Sequence, residues 1–183
     1  MKAGDLLGRY RLTDLITSDA GQSVTGDVGD VLLWRAYDTV LDRDVAIRVL
    51  DASDIRVPAV VGAAQASARI DDRHLLRVLD VLEVPARDDD PAVIAVVTEW
   101  ASGRNLERTI QERGGSPFVP GAALALVSDV ARILAAAQKG SVAHGRLRPS
   151  SVFITDAGDV RLRGLAVDAA LFGIQDATDG SSP

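Results

Sequence analysis

Residues 34–51 read WRAYDTVLDRDVAIRVLD. Two runs rich in aromatic and β-branched residues flank the short link TVLDR, which is the pattern of two strands joined in a hairpin. Upstream, RYRLTDLI predicts another strand over residues 9–16. Between it and the quoted pair lies a loop, residues 17–30, punctuated by Gly21, Gly26 and Gly29. Downstream the pattern changes after Pro58, where the Ala-rich run AVVGAAQASARI predicts a helix that starts just past a proline. LLRVLDVLEV and AVIAVVTEW then predict two more strands, separated by the acidic loop ARDDDP. The run Asp88–Asp90 is read as a solvated turn in preference to a cation site.

The second half opens at Gly103. Asn105 caps a short helix that Gly114 and Gly115 end. Pro120 begins a longer one, with Leu124, Val127, Val130, Ile133 and Leu134 at helical spacing and Gly140 as its stop. The stretch AHGRLRPSSVFIT, residues 143–155, leads into a strand at 151–155. A turn, DAGD, and a second strand, VRLRGL, complete a hairpin. The tail QDATDGSSP is small and polar. Five strands with one helix after the third, a connector, two helices and a hairpin make an α+β arrangement.

Composition narrows the function. The chain has 183 residues, 47% hydrophobic and 25% charged, enough for one domain with a real core. Its formal charge of −6, with no offsetting basic cluster, argues against a nucleic-acid partner. It has no cysteine, which excludes disulfides and thiolate metal sites. The N-terminus has no signal-peptide core, and no apolar run is expected to approach the ~20 residues that cross a bilayer. A cytoplasmic location is expected, or the cytosolic face of a membrane protein from which the chain was cut, with no membrane insertion of its own.

In order and spacing these segments resemble the protein kinase fold, and more narrowly a bacterial serine/threonine kinase of the actinobacterial type. WRAYDTVLDRDVAIRVLD resembles the second and third strands of that family, VVTEWASGRNL its fifth strand and hinge, and AHGRLRPSSVFIT…GDVRLRGLAVD its catalytic loop and metal-loop hairpin. The resemblance runs from about Tyr10 to Val167. It implies a five-stranded N-lobe with one helix over residues 1–98, a hinge at 99–103, a truncated helical C-lobe over 104–170 that ends after the hairpin, and a disordered polar tail over 171–183.

Phosphoryl transfer needs positioning and charge neutralisation, and the resemblance locates the residues concerned. The lysine of V-A-I-K is Arg48, which keeps the charge but not the point-charge geometry. The helix glutamate that should hold it aligns with Ala63, and no acid occurs between Asp54 and Asp71, so Arg48 can be read as a surface strand arginine. In H-R-D-L-K-P-x-N, the catalytic Asp is Arg146 and the metal-binding Asn is Ser151. DFG is Gly164–Leu165–Ala166, without its carboxylate. Asp27 and Asp30 stand beside Gly26 and Gly29 in the phosphate loop, where they would repel a triphosphate. Asp156 and Asp159 are the only nearby carboxylates expected as stand-ins. His144 is read as structural, as is His74.

The purine pocket is less altered, with Ala46 as roof, Thr98 as gatekeeper, Glu99 and Ala101 as hinge backbone and Phe153 as floor; ordinary inter-lobe core is the preferred reading of Ala46, Thr98 and Phe153, ahead of retained nucleotide binding. The expectation is therefore a pseudokinase: no enzyme, no cofactor, no metal, and a regulatory or scaffold role through a protein partner. It is similar in kind to the degenerate kinase domain attached to the lipid II flippase, where an active serine/threonine kinase phosphorylates the domain and a forkhead-associated domain reads the phosphothreonine. Thr178 is the candidate phosphosite. Residual ATP binding with weak atypical kinase activity, and a kinase fragment without a role, are the alternatives. Apolar surface on the 121–139 helix is expected to stay exposed.

Overall fold

The computed structural model describes residues 1–16, 31–87 and 90–173. The glycine-loop residues Gly26, Asp27, Gly29 and Asp30, together with Asp88, Asp89 and Thr178, lie outside them. The expected strands are β2 (Tyr10–Leu15), β3 (Leu32–Asp38), β4 (Arg43–Asp51), β5 (Val78–Val84) and β6 (Val93–Glu99), preceded by a two-residue β1 (Leu6–Leu7). They form one antiparallel sheet in the order β1-β2-β3-β4-β6-β5.

The β3–β4 hairpin is set by Asp38. Its carboxylate is fully buried, accepts from the amides of Val40 (3.1 Å) and Leu41 (3.2 Å), and pairs with Arg9 at 3.1 Å. An aspartate bonding the backbone two residues on is what initiates such a turn. Along β4 the side chains alternate between faces. Val45, Ile47 and Val49 enter a core with Tyr10, Leu12, Trp34 and Val97. Ala46, Arg48 and Leu50 point the other way, toward the second half of the molecule.

Helix α1 (Val57–Ala68) lies over that second face. It buries Val60, Ala64 and Ser67, spaced four and three apart on one stripe, and Ser67 Oγ donates to the Leu165 carbonyl at 2.5 Å. A two-residue strand β7 (Arg104–Asn105) and the hairpin β8 (Val152–Ile154)–β9 (Val160–Leu162) make a second, three-stranded sheet. Asn105 caps helix α2 (Leu106–Glu112) by accepting from the Arg108 amide at 2.8 Å.

Helix α3 (Pro120–Lys139) buries Ile133 and Ala137 in a cluster with Leu75, Val152 and Leu162. It ends at Gly140, where a Cβ would overlap Ile70. Its first half is bare, with Leu124 69% and Val127 64% exposed. One expectation is corrected here. By length and composition α3 is long and apolar enough to cross a bilayer, although an apolar run of that extent was not expected. Interruptions by Ser128, Asp129 and Arg132 conceal it from a scan for unbroken apolar sequence.

A second correction concerns residues 171 and 172, expected in a loose tail. They complete helix α4 (Val167–Phe172), and Leu171 is 1% exposed, in a cluster with Leu50, Val60, Ile94 and Val167. Burying a leucine of this kind is worth about 1.5–3 kcal/mol, enough to draw a short apolar turn onto the sheet.

Candidate active site

The site is a cleft between the large sheet and the second half of the molecule. Its outer end is an open cavity of about 580 Å³. Ile16, Leu33 and Ala46 form one wall, Phe153 and Leu76 another, and Glu99, Trp100 and Ala101 the edge. Four of the five residues expected at a purine pocket thus line one cavity. The fifth, Thr98, is buried directly beside Ala46 in the β4–β6 ladder, its Oγ1 within 3.5 Å of the Ala46 carbonyl.

Local chemistry fixes the edge. The Glu99 amide donates to the Arg77 carbonyl at 2.9 Å, and the Glu99 carboxylate pairs with Arg161 of β9. Arg161 also donates to the carbonyls of Arg73 (3.1 Å) and Leu75 (3.3 Å). The connector between the two halves is therefore tied to the small sheet. Arg163 stacks over the Phe153 ring, its guanidinium carbon 5.4 Å from the centroid.

The inner end holds the charges. Arg48 is 3% exposed and pairs with Asp168 of α4 at 2.9 Å. Reading Arg48 as a surface arginine is thus corrected: the alternation of β4 turns it inward, beside Ala46 and Leu50. Ala63 of α1 supplies no acid, and α4 supplies one in its place. Asp168, buried against Arg48, also displaces Asp156 and Asp159, both exposed in the hairpin turn, as the stand-in carboxylate. Gly164 makes this seating work. Its φ is +81°, and a Cβ there would collide with the Asp168 carboxylate. The acid absent from position 164 is thus replaced, in nearly the same space, by one four residues later. The Asp168 amide donates to the Gly164 carbonyl at 3.0 Å, which closes the chain between the two positions.

The loop 144–151 is held by backbone contacts. His144 Nε2 donates to the Arg163 carbonyl at 2.9 Å. Burial is the main cause pushing the His144 pKa below its ordinary value; Asp168 and the Arg163 carbonyl oppose this, and Arg48 adds to it. Ser151, expected where a metal-binding amide would be, is 2% exposed, and its backbone bridges the Arg148 carbonyl and the Arg163 amide, each at 2.9 Å. Arg146 Nη1 donates to the carbonyls of Phe172 (2.9 Å) and Gly173 (3.0 Å), covering the C-terminal end of α4. Arg56, paired with Asp54, donates from the other side to the Leu171 carbonyl at 2.7 Å. Among the described residues no group of three or more His, Cys, Asp or Glu side chains could hold a metal ion. His74 pairs with Asp72 at 3.0 Å, away from the cleft.

Comparison with known proteins gives this arrangement its context. No family model matches. The serine/threonine-protein kinase PknA of Corynebacterium glutamicum is 30% identical over 178 residues, covering 93% of this chain and 37% of that protein. PknL of Mycobacterium tuberculosis, also a serine/threonine-protein kinase, is 33% identical over 138 residues, covering 73% and 33%. The chain thus spans about a third of the length of the curated relatives it matches. Among solved structures, the PknI kinase domain of Mycobacterium tuberculosis superposes with a TM-score of 0.70 at 19% identity, over 91% of this chain and 62% of that one. PpkA-294 in its apo form gives 0.70 at 16% identity, over 95% and 63%.

These relatives overturn the expectation that the chain is no enzyme, since the proteins it matches in sequence are named serine/threonine-protein kinases. That expectation treated each substituted motif position as a loss, without the acid that α4 returns. With the lobes, the hinge and the matched relatives in agreement, this chain belongs to the protein kinase superfamily.

Proposed function

We propose that this chain is a serine/threonine-kinase-type domain that binds a purine nucleotide in its outer cleft and serves a regulatory role through contact with another protein in the cytoplasm. The observation that carries the reading is the single cavity bringing Ala46, Glu99, Ala101 and Phe153 together. Its volume suits a small ligand, with an apolar side at Leu33, Ala46 and Phe153 and a polar side at α2. A purine ring would lie between Ala46 and Leu33 on one side and Phe153 on the other. Because the Glu99 amide is engaged with Arg77, hinge amide donation to the ring falls to Ala101. Phosphates would run inward, toward Arg48. Any phosphoryl transfer would draw on Asp168, because the loop position that would hold an acid carries Arg146.

The test is calorimetric titration with adenosine and with ATP, with and without magnesium. Binding of adenosine that is lost in Ala46→Phe, which fills the cavity, supports the reading. No heat and no thermal shift at millimolar adenosine would sink it.

The regulatory half of the reading is supported by the bare face of α3 around Leu124 and Val127. The partners it names are an active serine/threonine kinase and a forkhead-associated phosphothreonine reader. Incubation with PknA and ATP followed by mass spectrometry tests this: phosphate on Thr178, absent in Thr178→Ala, is the expected result.

A further inference from the structure

An apolar surface lies uncovered along α3 and the loop before it. Residues 117–127, PFVPGAALALV, run without a polar side-chain atom. Val119 is 71% exposed, close to Leu124 and Val127, and Phe118 is half-buried. Leu124, Val127, Ala131 and Ala135, three, four and four residues apart, lie on one exposed stripe. Ile133 and Ala137 occupy the opposite stripe and hold α3 in the core. Both faces of the helix are therefore apolar. A core helix can be apolar enough to cross a bilayer, but it is then mostly buried. Only 11% of the most apolar 18-residue stretch of α3 is buried, so the core accounts for one face and leaves the other.

Two features say what suits the bare face. The first is charge. Residues 1–103 carry 11 Arg and Lys against 18 Asp and Glu, whereas residues 104–173 carry 9 against 6. The basic excess sits on the half that bears the bare helix, and Arg132 and Lys139, both exposed, flank its stripe. The acids Glu112 of α2 and Asp129 of α3 are already paired, with Arg104 and Arg108 and with Arg132. Such an asymmetry favours an anionic surface. The second feature is the backbone. Pro117 and Pro120 carry no N–H, and Pro120 opens the helix, where an N–H would have no intrahelical acceptor. Arg113 donates to the carbonyls of Ser116 (3.1 Å) and Pro117, and stacks over the Phe118 ring at 4.5 Å. Hydrocarbon offers no partner to a polar backbone group, so a loop with these groups removed or satisfied suits lipid.

We propose that Phe118, Val119 and the exposed stripe of α3 dock on the surface of an anionic lipid bilayer. The apolar side chains enter the boundary between headgroups and acyl chains, and Arg113, Arg132 and Lys139 lie among the headgroups. Docking of this kind leaves Ile133 and Ala137 in the core and is not a crossing of the bilayer. It goes beyond the protein contact proposed above and does not rest on it, because that contact is tested at Thr178 and this one with lipid alone.

Vesicles of phosphatidylcholine alone, and of phosphatidylcholine mixed with phosphatidylglycerol, are floated with the full chain and with two double variants. One is Leu124→Gln with Val127→Gln, the other Arg132→Gln with Lys139→Gln. All four side chains are exposed, so both variants should keep the wild-type melting temperature. Should the apolar variant melt early, Val119→Gln, outside the helix, takes its place. Wild type is expected to float with the mixed vesicles, less so as salt is raised, and to stay behind with phosphatidylcholine alone. The apolar variant should bind at least about tenfold more weakly, and the basic variant at least about threefold. No flotation of wild type with the mixed vesicles, equal flotation with both kinds, or an apolar variant within twofold of wild type would each overturn the docking. Sedimentation velocity without lipid tests the rival occupant. A dimer that the apolar variant abolishes, together with no flotation, assigns the face to a second copy of this chain and overturns the lipid surface.

Discussion

The two ends of the cleft were built by different rules. The outer end sets apolar side chains, Ala46, Leu33 and Phe153, against the 99–101 edge and polar side chains of α2. The inner end is an ion pair with two further arginines. The outer end depends on shape, so single positions read independently of one another. The inner end depends on charge balance, and there a substitution has meaning only with its partner. Arg48 without Asp168 is a buried orphan cation; with it, a link between strand β4 and helix α4.

The sharpest way to break this contrast is at Asp168. Asp168→Asn leaves Arg48 buried opposite a neutral amide and should cost about 3–5 kcal/mol. The double variant Arg48→Met with Asp168→Leu should be much less destabilised than that single variant. Urea unfolding measures both, and additivity of the two changes would show that the inner end is not organised as a pair. Gly164→Ala comes next, at about 2 kcal/mol, because it adds a Cβ against the Asp168 carboxylate at a φ of +81°.

A smaller effect is expected from pH. His144 has a pKa lowered chiefly by burial, so the unfolded chain takes up a proton before the folded one does. The stability His144 contributes is complete above its unfolded value of about 6.5 and is lost as pH falls below it, by no more than about 1.4 kcal/mol per pH unit. His144→Gln should flatten the thermal-stability profile between pH 7 and pH 5, and an unchanged slope would remove His144 as its source. The smallest change belongs to the outer end. Thr98→Ala removes a long 3.5 Å contact, should cost under about 1 kcal/mol, and should leave adenosine binding intact by calorimetry.

Most of the fold was legible because it follows from local pattern. The β3–β4 hairpin, the Asn105 cap and the Gly140 stop each depend on neighbouring residues. The five pocket residues came from the resemblance to the kinase family, and four of them line one cavity. Helix α4 was not legible. Six residues are too few for helical periodicity to stand out, and LAVDAALF holds no cap signal. Asp168 was missed for the same reason. Its partner is 120 positions away on another element, whereas the family resemblance points to an acid on α1 and the hairpin turn offers only Asp156 and Asp159. Strands β1 and β7 are two residues each, below any alternation signal.

Helix α4 also has a mechanical meaning. Arg48 and Arg56 hold it from the large-sheet side, and Arg146 holds it from the loop side. In a chain of linkages loaded in series, the weakest parts first. The buried Arg48–Asp168 pair and the packed Leu171 outweigh two hydrogen bonds from a half-exposed arginine. Prying the two halves apart should therefore free the Arg146 contacts while α4 travels with the sheet, making the position of α4 a gauge of how far the cleft has opened.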